Sequence, residues 1–316
     1  MPMNPELLAN PKAERVRHVA ELANAKARRR AGRFLVEGPQ SVREAVACCP
    51  DAVRDLYVQA DDAANAAELA NGAHTAALTR SRIVETALGA GVYVHQATPE
   101  VLSRISSNAQ GIAAVVDVEE LSANGDAVSW PDDIDDTDDV ADTDGTDGAD
   151  NMNATMIAAF WQVRDPGNAG TVIRSADAAG CAAVVFVDDC VDVFNPKVVR
   201  STAGSLFHVP VLSMGTEEFF AWTLSHDCPV IAADVYGTAE SRPQSLPDFL
   251  RGGSRDAAAK AVLFGNEARG LPEEILVQAQ HIVSIPIYGK AESLNLATSA
   301  AVMLFSMAMS SHIGTM

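Results

Sequence analysis

"IPIYGKAESLNLATSAAVMLFSMAM", residues 285–309, passes from a short apolar run through Gly289 into an almost unbroken apolar helix whose first turn carries Ser293 and Asn295. A helix apolar on all sides belongs in a core, yet this one opens with polar side chains whose plainest role is N-capping. Upstream the same order of apolar run, loop and helix recurs. "MIAAFWQV" (156–163) reads as a strand ahead of "NAGTVIRSADAAG" (168–180), a helix stopped by Gly180. "AAVVFVD" (182–188) precedes "NPKVVRSTAGSLF" (195–207), a helix with Pro196 at its start. "PVIAADV" (229–235), "AVLFGN" (261–266) and "HIVSIPI" (281–287) are further strands, and "LPEEILVQAQ" (271–280) is a helix between the last two. Near-continuous apolar strands separated by helices predict an α/β fold with a parallel sheet covered on both faces. In such sheets ligands sit beyond the carboxyl ends of the strands.

The first third of the chain alternates too. "RFLVEG" (33–38), "DLYVQA" (55–60), "GVYVHQA" (91–97) and "GIAAVVDV" (111–118) read as strands; "SVREAVACC" (41–49), "DDAANAAELANGA" (61–73) and "TPEVLSRISS" (98–107) read as helices. This predicts a smaller α/β layer structure. Between the two parts lies a stretch of different composition: residues 126–150 hold eleven Asp and no Lys or Arg, and supply −11 of the net charge of −19. A self-repelling segment with so few large apolar side chains cannot offset its ordering entropy, so a disordered acidic linker is expected over 119–154. The domains expected are therefore 1–118 and 155–316. An EF-hand reading of the acid run fails for want of the Gly at position six and the terminal Glu.

Once the Asp-rich run is set aside, the overall acidity says little about the working surfaces. Residues 12–33 carry eight basic side chains, among them Arg28, Arg29, Arg30 and Arg33, against Glu14 and Glu21, a cluster suited to phosphates. Hydrophobic content of 48% suits a globular protein. The C-terminal apolar run is broken by Ser299, Ser306 and Ser310 and does not read as a membrane span. The charged N-terminus does not read as a signal peptide, and five scattered cysteines without C-x-x-C spacing read as reduced structural thiols, so a cytoplasmic location is expected. His208 and His281 sit in apolar sequence and read as structural; His18 reads as exposed.

Applied to the C-terminal part, the strand-end rule selects three loops. "RDPGNAGTVIR" (164–174) offers Arg164, Asp165, Asn168, as a cap at a helix start, and Arg174; "GNEARGLPEE" (265–274) offers Gly265 and Gly270 for tight backbone and Glu267 as a carboxylate; "IPIYGKAESLN" (285–295) offers Ser293 and Asn295. Taken singly, each has an ordinary reading as a capped turn or a solvated loop. No G-x-G-x-x-G, Walker loop, H-E-x-x-H, clustered His/Cys set or G-x-S-x-G elbow is present, so dinucleotide, ATPase, zinc and hydrolase sites are unsupported and no metal is expected.

In order, "PGNAGTVIRSADAAG", "LFGNEARGL" and "IPIYGKAESLNLATSAAVMLF" resemble the three motifs of the SpoU family of RNA 2′-O-ribose methyltransferases, in the SPOUT superfamily. The N-terminal part, through "RRRAGRFLVEGPQSVREA" and "SNAQGIAAVV", is similar to the ribosomal-protein-like RNA-binding domain that often precedes it. The resemblance implies a trefoil-knotted C-terminal domain that binds S-adenosylmethionine, and a homodimer. It places Gly265, Asn266, Ile285, Leu294 and Asn295 around the cofactor, Asn168, Arg174, Glu267, Ser293 and Asn295 at the reacting ribose, and Arg28, Arg29, Arg30 and Arg33 on the RNA. The implied substrate is structured RNA, with ribosomal RNA favoured. Transfer RNA, or a non-catalytic RNA-binding role on the same fold, are the alternatives.

Overall fold

A computed structural model describes residues 3–60, 71–125, 128, 130, 155–252 and 259–311. Most of the Asp-rich stretch, and residues 61–70 of the expected helix 61–73, lie outside them. The chain forms two compact units: Met1–Asp126 with Asp192–His208, and Ala127–Val191 with Val209–Met316.

The first unit runs β1 (Met3–Leu8), α1 (Glu14–Glu21), α2 (Ala25–Ala31), β2 (Arg33–Glu37), α3 (Pro39–Cys48), β3 (Val53–Gln59), α4 (Asn71–Gly89), β4 (Tyr93–Ala97), α5 (Pro99–Ile105), β5 (Ile112–Asp117) and α6 (Val118–Gly125). Its five strands lie in the order β1-β4-β3-β5-β2. β1 and β3 run parallel to β4, whereas β2 and β3 run antiparallel to β5, so the sheet is mixed. Ile112–Val116 of β5 are all buried, as the unbroken apolar run requires of a strand flanked on both edges. Gly32, at φ 61, ends α2 in the left-handed conformation and lets β2 start at once. α6 occupies the first residues of the expected linker, and its neighbour Val128 is buried in the core of the second unit.

Arg28 requires a correction. α2 turns it inward to 4% exposure, where Nη1 donates to the carbonyls of Leu22 (2.8 Å) and Ala23 (2.9 Å), and Nε and Nη2 donate to Asp192 (3.2 and 2.6 Å). A guanidinium so engaged has no face left for a phosphate; Arg28 is a structural cation. Arg29, Arg30 and Arg33 remain exposed, Arg30 beside Glu21 at 3.8 Å and Arg33 beside Asp117 at 3.7 Å. α8 (Pro196–Ser201) falls in the same unit, where Arg200 pairs with buried Glu37, which also accepts from Ser106 Oγ at 2.7 Å. The helix expected over 195–207 stops at Ser201 because Ala203 and Gly204 adopt positive φ (53° and 108°); a short 3-10 turn, Ser205–Phe207, follows. His208 is exposed and faces Glu44, and His281 is exposed beside Phe249.

The second unit comprises β6 (Thr155–Trp161), α7 (Pro166–Ala178), β7 (Ala183–Val187), β8 (Val211–Met214), α9 (Thr216–Ser225), β9 (Val230–Ala233), β10 (Gln244–Ser245), α10 (Leu246–Arg251), β11 (Ala259–Phe264), α11 (Glu273–Leu276), β12 (His281–Ser284) and α12 (Leu296–Ser311). Its seven strands, all parallel, lie in the order β10-β12-β9-β11-β6-β7-β8. Burial is complete in β11, the middle strand, and in β7, where every residue is buried. α12 packs on α7 and against β11, burying Leu296, Ala300, Met303, Leu304 and Met307. No described helix is long and apolar enough to cross a membrane.

Candidate active site

Sheet register gathers the loops. Phe264 at the end of β11 pairs with Phe160 of β6 and with Ala233 of β9, so the loops that follow these strands leave one edge of the sheet together. β12 lies beside β9, with Val283 opposite Ala233, and delivers the fourth loop to the same edge.

In the first loop Asp165, not Asn168, caps α7: its Oδ1 accepts the Asn168 backbone N–H at 2.8 Å, with Pro166 at the first helical position. The backbone need is thus met by Asp165 and the Asn168 side chain is free for other partners. Its Nδ2 donates to Glu267 Oε1 at 2.9 Å, and its Oδ1 accepts from Asn295 Nδ2 at 3.2 Å. Asn295 Oδ1 in turn accepts from Ala297 N at 2.9 Å at the start of α12. One amide therefore serves both purposes raised by the sequence: its oxygen caps a core helix and its nitrogen joins a polar chain of three residues from three loops.

The second loop is held by close backbone approach. A Cβ on Gly265 would lie 2.3 Å from the Gly270 carbonyl carbon and 2.6 Å from Leu271 N, so only glycine fits. Gly270, at φ 67, turns the chain so that its N–H reaches Asn266 O at 2.8 Å. Asn266 Nδ2 donates to Gln162 O at 2.7 Å, tying this loop to the first. In the loop after β9, Asp234 Oδ1 accepts from the backbone N–H of Tyr236 and of Gly237, each at 2.7 Å.

These loops enclose a cavity of about 260 Å³. Gly265, Asn266, Glu267, Ile285, Ser293 and Leu294, all singled out in the sequence, line it. Phe264, Ile287, Leu296 and Met303 add apolar wall, and Asp234, Arg269 and Ser299 add polar groups. An apolar slot with exposed backbone suits a flat heteroaromatic ring, and carboxylates at Asp234 and Glu267 suit a ligand carrying positive charge. S-adenosylmethionine, with its adenine, sulfonium and ammonium, has that chemistry. Arg174 is not in the wall. It stands six residues beyond Asn168 on α7, roughly 9 Å of helix rise, exposed and, among the described residues, without a hydrogen bond or ion pair. Asp234 was open to sequence reasoning: the strand-end rule that selected the other loops applies equally to "PVIAADV".

The fold and the hydrogen-bonded loops define an α/β domain with an all-parallel sheet and a polar site beyond the carboxyl ends of its strands. Residues 155–305 match the SpoU rRNA Methylase family, and residues 13–114 match the MRM3-like substrate binding domain. Over residues 155–305 the chain belongs to the SpoU rRNA methylase family, and over residues 13–114 it carries an MRM3-like substrate binding domain. It is 36% identical over 143 residues to the 23S rRNA (guanosine(2553)-2′-O)-methyltransferase RlmP of Bacillus subtilis, a match covering 45% of this chain and 54% of that protein. It is 30% identical over 184 residues to the human mitochondrial rRNA methyltransferase 3, covering 45% and 44%. The chain thus spans about half the length of the curated relatives it matches. Among solved structures, the SpoU methyltransferase AviRb from Streptomyces viridochromogenes in complex with AdoMet superposes with a TM-score of 0.65 at 25% identity, covering 96% of this chain and 100% of that one.

Proposed function

We propose that the protein is an S-adenosylmethionine-dependent methyltransferase that modifies a ribose 2′-hydroxyl of ribosomal RNA. The observation that carries this reading is the chain Glu267–Asn168–Asn295 at the rim of a cavity lined by the other motif residues. When bound, S-adenosylmethionine supplies an electrophilic methyl group whose bond to sulfur breaks as the bond to the ribose oxygen forms. Gly265 and the apolar wall hold the adenosine part, and Asp234 and Glu267 face its positive charge. Asn168, fixed at both ends of its amide, and Ser293 orient the ribose.

The reading gives Arg174 an electrostatic role and not that of a base, because a guanidinium carries only donors and no acceptor. With its guanidinium unengaged, it stabilises negative charge developing on the 2′-oxygen, while the hydroxyl proton leaves to a phosphate oxygen of the RNA. Arg29, Arg30 and Arg33 hold phosphates, a salt-sensitive contact that carries little sequence information. The knotted passage of residues 285–295, a homodimer and a cytoplasmic location belong to the same reading. Exposed apolar side chains on α12, Val302, Phe305 and Met309, support the homodimer.

The test is incubation of the purified chain and of Arg174→Ala with tritiated S-adenosylmethionine and unmodified ribosomal and transfer RNA, with 2′-O-methyl mapping. Label at one ribosomal ribose, lost in the variant, is expected. Label in transfer RNA would change the substrate; no label with intact cofactor binding would favour a binding protein. Full turnover by Arg174→Lys at neutral pH would refute the role given to the planar guanidinium.

A further inference from the structure

A second cluster of reactive side chains lies in the first unit, and none of its members lines the cavity. Glu44 and Cys48 are four residues apart on α3 and therefore share one helix face. His208, which follows the 3-10 turn Ser205–Phe207, is brought beside them. One donor atom from each of the three, a carboxylate oxygen, the thiol sulfur and a ring nitrogen, lies within 4.8 Å of the other two. We infer that Glu44, Cys48 and His208 form a binding site for a divalent transition metal of the zinc class, with a fourth position left to water.

The scaffold holds these donors in place without a metal. Buried Cys49, next to Cys48, donates its thiol to Phe207 O at 3.6 Å, which fixes the residue preceding His208 against the end of α3. The backbone at Gly204 approaches Glu44 so closely that a Cβ there would lie 2.4 Å from Glu44 Cγ, and its φ of 108° also demands glycine. Arg43 occupies Glu44 Oε1, so that Oε2 is the oxygen turned to His208 Nε2, at 3.4 Å. That separation is long for a hydrogen bond to a carboxylate. It matches the ~3.3–3.6 Å between neighbouring nitrogen and oxygen ligands on a tetrahedral ion with bonds of ~2.0–2.2 Å.

Arg43 then acts as the outer partner that orients a metal-binding carboxylate. One thiolate and one imidazole favour zinc over the hard cations magnesium and calcium, which take oxygen ligands. On binding, the Cys48 thiol gives its proton to solvent and the sulfur lone pair to the metal, so affinity rises with pH. The site would join α3 to the segment that carries α8.

The test uses the full chain, stripped with chelator, and zinc or cobalt chloride alone, with no RNA or S-adenosylmethionine. Its failure is therefore independent of the methyltransferase reading. One equivalent of zinc is expected in competition with a chromophoric chelator. Cys48→Ser and His208→Gln should each weaken binding by more than the ~10–100-fold that loss of an outer partner costs. Cys190→Ser, which removes the other thiol that is not fully buried, should bind as the parent does. Cobalt should give tetrahedral ligand-field bands and a thiolate-to-metal charge-transfer band that Cys48→Ser lacks. Absence of stoichiometric zinc binding, affinity unchanged in both variants, or a cobalt spectrum without the thiolate band would each overturn the site. If a variant does not fold, the parent alone decides: zinc must protect Cys48 from alkylation, read by peptide mass, and an unprotected Cys48 refutes the proposal.

Discussion

Gly265→Ala tests whether the candidate site depends on a backbone contact. The added Cβ would sit 2.3 Å from the Gly270 carbonyl carbon, where ordinary van der Waals contact begins at 3.4 Å. One strand of the loop must therefore retreat by about 1 Å, and the obstructing atoms are backbone that cannot rotate away. Gly270 N to Asn266 O (2.8 Å) binds the two sides together, so the retreat carries Asn266 and Glu267 with it. Overpacking of this kind costs about 1–3 kcal/mol in stability, and a 1 Å displacement of positioning groups costs roughly 10²-fold in rate. Gly289→Ala is the control, since its Cβ would meet nothing within 4 Å and its φ is not left-handed. Urea unfolding gives the stability change, and calorimetric titration with S-adenosylmethionine reports cavity geometry without RNA. Parental cofactor affinity in Gly265→Ala, or equal losses in both variants, would refute the reasoning.

Four further outcomes follow from the contacts described. Asn295→Asp keeps the oxygen that caps α12 but loses the donor to Asn168, so it should retain stability and lose turnover, whereas Asn295→Ala should lose ~1 kcal/mol as well; melting and single-turnover assays separate the two. Asn168→Asp sets a carboxylate beside Glu267, where only one of the pair ionises easily, so its residual activity should rise as pH falls, measured as a pH–rate profile. Arg28→Ala leaves Asp192 and two carbonyls without their cation and should cost ~3–5 kcal/mol in urea unfolding, whereas Arg29→Ala should change stability by less than ~0.5 kcal/mol and flatten the salt dependence of RNA binding. Burial alone would raise the Asp188 carboxyl, but hydrogen bonds from Thr216 and Trp161 outweigh it and hold it below its ordinary 3.8. Its stabilisation is therefore complete above that value and is lost as pH falls through the lower folded one, so Asp188→Asn should flatten the acid limb of a stability–pH curve.

How far the sequence could be read depended on the kind of information each feature needs. β7 was plain because a strand buried on both faces is apolar at every position, and β11 was plain from Ala261 onward, its one polar side chain, Lys260, standing near its start. β1 was not: Pro5 interrupts "MNPELL", which is tolerated only because this strand lies at an edge and pairs with β4 alone. β10, two residues long, has no pattern to detect. Local rules placed Pro196 at a helix start, but they missed the stop at Ser201, where two successive positive φ angles decide the matter. Arg28 looked like its neighbours in a basic run; only its contact with Asp192, 164 residues away, shows that it faces inward. The motif residues were visible as helix starts and loops at strand ends, while the link from Asn168 to Glu267 and Asn295 required the register that aligns β6 with β11.

That register also divides the work between the core and the site. Asn168, Glu267 and Asn295 are only partly buried or exposed, and each hydrogen bond between them contributes about 1 kcal/mol at most to folding. Stability comes instead from the strands beneath, where Phe160 and Phe264 stack at 5.2 Å and are fully buried. The polar chain can therefore be altered residue by residue without unfolding the domain, and its geometry is inherited from the register of the buried strands. Gly265 is the position at which the two are inseparable. It ends the central strand and begins the loop, so a single methyl group there acts on the packing of the sheet edge and on the placement of Glu267 in one step.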